Sequence, residues 1–277
     1  MNELPRSLDR QASAAPQPQH TCCWIRIRDV SKSYRTRQGR TLPVLDGVSL
    51  DIAPGRLHAI LGPSGGGKST LLQILSGLLD YDSGTIEIDG VDLRRFNGWR
   101  GIGYAFQDDR LFPWRTVLRN VSLALEFPEI GRNERLERSR RILEIVGLSQ
   151  FENAYPHELS GGMRSRVALA RSLVAEPKIL LMDEPFGRLD AQTRANLQSE
   201  FLRLRELFDM TVLLVTHDLE EAAVLADDIT VFSSRPAKIV DSFSVEASRP
   251  RDPTSEEGVA VVRRLRAALQ MKQVGTV

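Results

Sequence analysis

Apolar residues change their spacing along this chain, and each spacing predicts an element. Ile25 and Ile27 alternate with Arg26 and Arg28, which predicts a strand with one wet face running on to Tyr34. A basic turn over 35–40 leads into a second strand through Val44, Leu45, Val48, Leu50 and Ile52. Residues 85–89 alternate again and close on Asp89-Gly90, a hairpin signal. A short, largely apolar run over 57–61 predicts a further strand, and elsewhere the apolar runs are unbroken: 179–182 and 212–215 are too short for helices and have no polar face. Such runs predict strands buried on both sides of a parallel sheet. Residues 102–106 give one more short strand, and 229–232 and 239–243 read as edge strands. Helical spacing fills the gaps at 71–75, 117–127, 134–146, 167–174 and 191–208. Within 134–146, Leu136, Leu143 and Val146 form a stripe opposite a face of interleaved arginines and glutamates, and Gly147 stops the helix. After a polar, proline-containing linker, Val259, Val262, Leu265 and Leu269 give a last amphipathic helix, whose packing partner the pattern does not reveal. The predicted architecture is α/β, with an early antiparallel part, a mainly parallel core and a helical insertion at about 108–165.

Composition narrows the picture. With 277 residues, 42% hydrophobic and 26% charged, the chain suits one domain with a full core, and it needs no disulfide staples. A net charge of +1 offers no field for nucleic acid or for an anionic membrane surface. Cys22 and Cys23 are adjacent, so neither a disulfide framework nor a metal site is expected, and the cytosol fits. No segment approaches the roughly 18 apolar residues that span a bilayer, since 167–182 is broken by Arg171, Glu176, Pro177 and Lys178. Work at a membrane would need a partner to do the spanning. Residues 1–21, rich in Ala, Pro, Gln and Ser, read as a disordered tail before a domain over 22–245 and a C-terminal segment over 246–277.

Candidate chemistry centres on Gly62-Pro63-Ser64-Gly65-Gly66-Gly67-Lys68-Ser69-Thr70, set between a buried strand and a helix. Glycines let backbone N–H groups turn inward around phosphate oxygens, and the helix dipole faces the anion. Lys68 is placed to reach the outer phosphates and Ser69 to ligate Mg²⁺. A plain glycine linker would need neither the Lys-Ser step nor apolar flanks. Asp183 and Glu184 end a buried strand, where carboxylates are costly unless they handle a cation or a proton. Asp183 suits the metal partner of the loop, and Glu184 suits a base for attacking water. His217 ends another buried strand and could donate to a terminal phosphate, whereas His20 lies in the tail and His58 and His157 read as structural. Tyr34 is either a core aromatic or a platform for an adenine ring. Ser160-Gly161-Gly162 precedes a helix and reads as an anion site or as a simple cap.

These residues, in this order, resemble the ATP-binding subunit of an ABC transporter, over about 24–243. The elements that carry the resemblance are Tyr34, the loop 62–70, Gln107, the signature 159–163, Asp183-Glu184 and His217. It implies a P-loop NTPase core with an N-terminal antiparallel subdomain and an inserted helical one, ATP and Mg²⁺ as cofactors, and transport-coupled hydrolysis. It further implies metal contact by Ser69, Asp183 and Gln107, and a Ser160-Gly161-Gly162 backbone that touches ATP held by a second copy across a loop containing Asp190. The implied partners are a second ATP-binding subunit, identical or paired, membrane permease subunits and, indirectly, a solute-binding protein, at the cytoplasmic face of the plasma membrane. Met163 in place of the usual glutamine, Phe112-Pro113-Trp114 and the run 186–194 resemble the nitrate, sulfonate and taurine importer subgroup. Arg188 replaces a small residue, and Asp108-Asp109 add negative charge near the expected permease groove, where Trp114 is either core or lining. ATPases of DNA repair share the motifs but split them around a long coiled coil, and no heptad run lies between Thr70 and Ser160. Translation factors carry two cassettes in tandem, and no internal repeat appears here.

Overall fold

The computed structural model describes residues 24–270; the tail predicted over 1–21, both cysteines and His20 lie outside the described residues. The chain begins with strands β1 (Ile25–Arg35), β2 (Thr41–Ile52) and β3 (Leu57–Leu61), followed by helix α1 (Lys68–Leu75). Next come β4 (Ser83–Ile88), β5 (Val91–Asp92) and β6 (Ile102–Ala105), and then helices α2 (Val117–Ser122), α3 (Arg132–Ile145) and α4 (Gly161–Leu173). The remainder alternates β7 (Ile179–Asp183), α5 (Ala191–Phe208), β8 (Thr211–Thr216), α6 (Leu219–Leu225), β9 (Asp228–Phe232), β10 (Ile239–Ser244) and α7 (Glu256–Gln270).

Two sheets result. One is antiparallel in the order β2-β1-β4-β5, and the other has six strands in the order β10-β9-β3-β8-β7-β6. From β9 to β6 the second sheet is parallel, and only β10 runs against its neighbour. Successive residues of its central strands feed opposite cores, as the period of two along a strand requires. Ile60, Leu181, Leu213 and Val215 pack with α1 and the antiparallel sheet. Ala59, Leu61, Leu180, Met182, Val212 and Leu214 pack on the other side with helices that include α4 and α5. Double-sided burial is the reason these strands carry no polar alternation. It also leaves only their ends for charged groups, and the carboxyl ends of β3, β6, β7 and β8 all lie at one edge of the parallel sheet.

Two expectations need correction. The helix expected over 117–127 ends at Ser122 and tightens into a 3₁₀ turn over Leu123–Leu125. Pro128 disfavours the α conformation at the residue before it, so the helix cannot run through Phe127. Residues 229–232 form no edge: β9 lies between β10 and β3, and its Ile229, Val231 and Phe232 are fully buried. The final helix packs on the body, with Leu265 and Ala268 buried. Arg264 grips both oxygens of Asp241 at 3.0 Å and lies 3.8 Å over the Phe243 ring.

Candidate functional site

The loop over 62–67 leaves β3 and returns as α1, with its shape set by backbone conformations that side chains resist. Gly67 has φ 81°, and a Cβ there would meet Leu45 at 2.8 Å. A Cβ on Gly66 would stand 2.9 Å from the Pro63 carbonyl. Lys68 is almost wholly buried and donates to the carbonyls of Gly62 at 2.8 Å and Pro63 at 3.0 Å. Burial pushes its ammonium pKa down, against the opposing pull of Glu184 and Asp183. The ammonium is therefore pre-aimed, with its charge turned into the fold of the loop.

Across from it, Ser69 Oγ donates to Asp183 Oδ1 at 2.8 Å, which joins the start of α1 to the end of β7. Burial raises the Asp183 pKa and the charge of Glu184 adds to the rise, while the Ser69 bond opposes both. Tyr104, near the end of β6, sets its hydroxyl 3.4 Å from Asp183 Oδ2. Glu184 itself has φ 46°, a left-handed conformation that costs a non-glycine residue about 1–2 kcal/mol. Its N–H donates to Val215 at 2.9 Å, so the sheet holds the strained turn in place.

His217, just past β8, places Nδ1 2.8 Å from Glu184 Oε2. An ionised carboxylate only accepts, so in that state Nδ1 carries the proton and Nε2 is the ring nitrogen left to face outward. Gln107 Nε2 stands 3.4 Å from the same oxygen. Acid, imidazole and amide, separated by up to 110 positions in sequence (217 minus 107), thus meet at one point.

A cleft of about 330 Å³ gathers Tyr34, Val44, residues 64–70, Gln107, Glu184 and Arg235. Tyr34 is 38% exposed at its rim, so the core reading of this ring does not hold. Gly62, Pro63, Ser64 and His217 border an adjoining hollow, which shares Ser64 with the cleft. Ser160, Gly161 and Gly162 do not join the cleft: Ser160 Oγ caps α4 by accepting from Met163 N at 3.3 Å. Gly162 also has a packing reason to be small, since a Cβ would meet Thr193 Cγ2 at 2.7 Å. Asp190 caps α5, accepting from Thr193 N at 3.0 Å.

Sequence reasoning missed Arg235, Val44 and Tyr104. Val44 and Tyr104 look like ordinary strand residues, and Arg235 sits in a Ser-Ser-Arg-Pro turn with no motif of its own. The added acids near Gln107 are neutralised: Asp108 pairs with Arg188, and Asp109 with Arg164 at 3.1 Å. His58 is buried and bonded to Thr230 at 2.8 Å, and His157 stacks on Tyr155, so both are structural.

A second surface lies on the helical insertion, where Trp114 is 70% exposed. It borders a groove of about 750 Å³ with Arg115, Arg119, Arg132, Arg135 and Tyr155. Trp114 is therefore lining and not core. Among the described residues, no helix is long and apolar enough to cross a membrane.

Known proteins are similar to this chain in sequence and fold. The ABC transporter family pattern matches residues 45–187. The taurine import ATP-binding protein TauB of Rhizobium johnstonii is 41% identical over 225 residues, covering 81% of this chain and 85% of the relative. The aliphatic sulfonates import ATP-binding protein SsuB of Bacillus subtilis is 40% identical over 231 residues, covering 83% and 88%. A dimeric ATP-binding cassette in a post-hydrolysis state, bound to ADP and Pi, has a TM-score of 0.71 at 30% identity, with 81% of this chain and all of that chain covered. With its phosphate-type loop, its acidic strand end and these relatives, the chain belongs to the ABC transporter family, as an ATP-binding subunit of the ATP-hydrolysing kind.

Proposed function

We propose that this chain hydrolyses ATP in the cleft between Tyr34 and Glu184 and thereby drives import of taurine or an aliphatic sulfonate through separate membrane-spanning subunits. The observation that carries the reading is the meeting of Glu184, His217 and Gln107 beside the loop that holds Lys68. Tyr34 stacks the adenine ring, and the backbone of 65–70 with Lys68 holds the phosphates. Glu184 orients the attacking water and takes its proton; His217 fixes Glu184 through Nδ1 and faces the terminal phosphate through Nε2.

The donor set suits Mg²⁺, which prefers hard oxygen ligands: the Ser69 hydroxyl and the Asp183 carboxylate already touch at 2.8 Å, and the Gln107 side chain is within reach of the same cleft. When bound, the ion neutralises charge developing on the phosphoryl oxygens. Catalysis by positioned groups of this kind needs a dry site, so closure matters. Two copies sandwich two ATPs head to tail, with Ser160, Gly161 and Gly162 of each reaching the terminal phosphate bound by the other. The groove around Trp114 receives the permease at the cytoplasmic face of the membrane, and a solute-binding protein delivers the sulfonate to that permease. A DNA-repair or translation role is not favoured, because the relatives named above are import subunits.

Light scattering tests the sandwich. Glu184→Gln with ATP is expected to run as a dimer, and a persistent monomer at high protein concentration overturns it. Uptake of radiolabelled taurine and ethanesulfonate tests the cargo: cells lacking this chain should lose it, with recovery by the wild type and not by Glu184→Gln. Undiminished uptake of both sulfonates excludes that assignment.

A further inference from the structure

The turn between β9 and β10 reaches the nucleotide cleft, and it brings a cation that the loop motif does not contain. Arg235 places Nε 3.2 Å and Nη2 3.1 Å from the carbonyl oxygen of Gly65, at the tip of the phosphate loop. Both nitrogens donate to one acceptor, so the guanidinium lies as a brace across the loop, and it lines the same cleft as Lys68, Ser69 and Thr70. The turn that carries it is fixed at several points. Ala237 N donates to Val44 O at 2.8 Å, and Asp46 N donates to Ala237 O at 3.1 Å, so the turn is stitched to β2. Lys238 pairs with Asp46 at 2.9 Å, and Ser233 Oγ accepts from Lys238 N at 3.0 Å. Val44, itself in the cleft wall, is thus the residue that anchors the turn bearing Arg235.

We propose that Arg235 is a nucleotide-binding residue: a second cation at the phosphate end of the cleft that also holds the loop tip in its receptive shape. This inference rests on the ATP-binding reading above and adds to it a residue outside the loop. The two contributions follow from separate physics. Gly65 has φ 73°, a conformation with little intrinsic preference in a flexible glycine run, and a bidentate donor on its carbonyl narrows the states the empty loop can visit. A guanidinium beside an incoming triphosphate adds Coulombic attraction to that of Lys68, which is turned inward onto Gly62 and Pro63. Lysine at 235 would keep the charge but lose the planar, two-pronged grip.

The test compares the full-length wild type, Arg235→Gln, Arg235→Lys and Lys68→Ala by calorimetric titration with MgATP at low and moderate salt. Arg235→Gln is expected to raise Kd about tenfold and to flatten its dependence on salt. Arg235→Lys should recover part of the affinity and the salt dependence. A Kd within about twofold of wild type in Arg235→Gln, or an equal loss in both variants with unchanged salt dependence, overturns the inference. Loss of binding in Lys68→Ala with none in Arg235→Gln would remove this inference alone, whereas a wild type that binds no MgATP removes the ATP reading itself.

Discussion

The cleft at the strand ends and the groove on the helical insertion both carry charge, but they hold it differently. In the cleft, Lys68 is 4% exposed and Asp183 and Glu184 stand where strands with two buried faces stop. In the groove, Arg115, Arg119, Arg132 and Arg135 stand around an exposed Trp114, and only Arg115 among these four arginines has an ion pair, with Glu126 at 2.8 Å. Burial makes the polar contacts of Lys68 and Asp183 costly to leave unmade, while water and salt reach the groove as they reach the exposed rim of the cleft. Single residues should therefore dominate the first region, and shape with one aromatic anchor should dominate the second.

Substitutions can break that contrast. The largest effect is expected from Glu184→Gln, which keeps the shape but cannot accept a proton. Turnover in a phosphate-release assay should fall by about 10³-fold, with MgATP affinity retained. Lys68→Ala removes a buried cation from the phosphate cradle, and MgATP affinity by calorimetry should drop about 100-fold. On the other surface, Trp114→Ala should weaken association with the permease about tenfold in a detergent pull-down and leave MgATP affinity alone. If instead Trp114→Ala lowered nucleotide affinity as much as Lys68→Ala did, the two regions would not be separable.

The smallest effect sharpens the role of burial. Glu221, in α6 just after His217, is buried against Gln198 Nε2 at 3.2 Å, and burial pushes its pKa up to about 7. Its folded-state pKa lies above the ordinary 4.5, so between those values the folded chain holds more protons than the unfolded one. Stability from this group is full below about 4.5 and is lost as pH rises through about 7. His58 acts with the opposite sign, because burial lowers its pKa to about 4 and stability is lost as pH falls from 6.5 through that value. Comparing Glu221→Gln with wild type at each pH cancels the histidine. The variant should gain a few degrees of Tm over wild type at pH 8 and nothing at pH 4, as read by differential scanning calorimetry.

Much of this was legible in the chain. Runs without polar residues, such as 179–182 and 212–215, predicted strands buried on both faces, and Ile60 and Leu181 facing one core while Ala59 and Leu180 face the other bears that out. The loop over 62–70 was legible because phosphate chemistry demands a local pattern of glycines followed by Lys-Ser. Arg235 was not, since its importance depends on a turn being stitched to Val44 nearly 200 positions earlier. The place of β9 was not legible either. An apolar run of that length serves an edge or an interior strand equally well, and only the neighbour that pairs with it decides.

By itself the sequence determined most of the elements, though not α6 or the end of α2, together with the glycine-rich loop and the acids and imidazole at strand ends, because spacing and residue type act over a few neighbouring positions. Tertiary structure alone decided that Glu184 Oε2 would meet His217 and approach Gln107, that Asp108 would be answered by Arg188, and that Arg235 would lie across Gly65. Those contacts join distant segments through sheet order and packing, and no local pattern encodes the partner a side chain will find across a folded core.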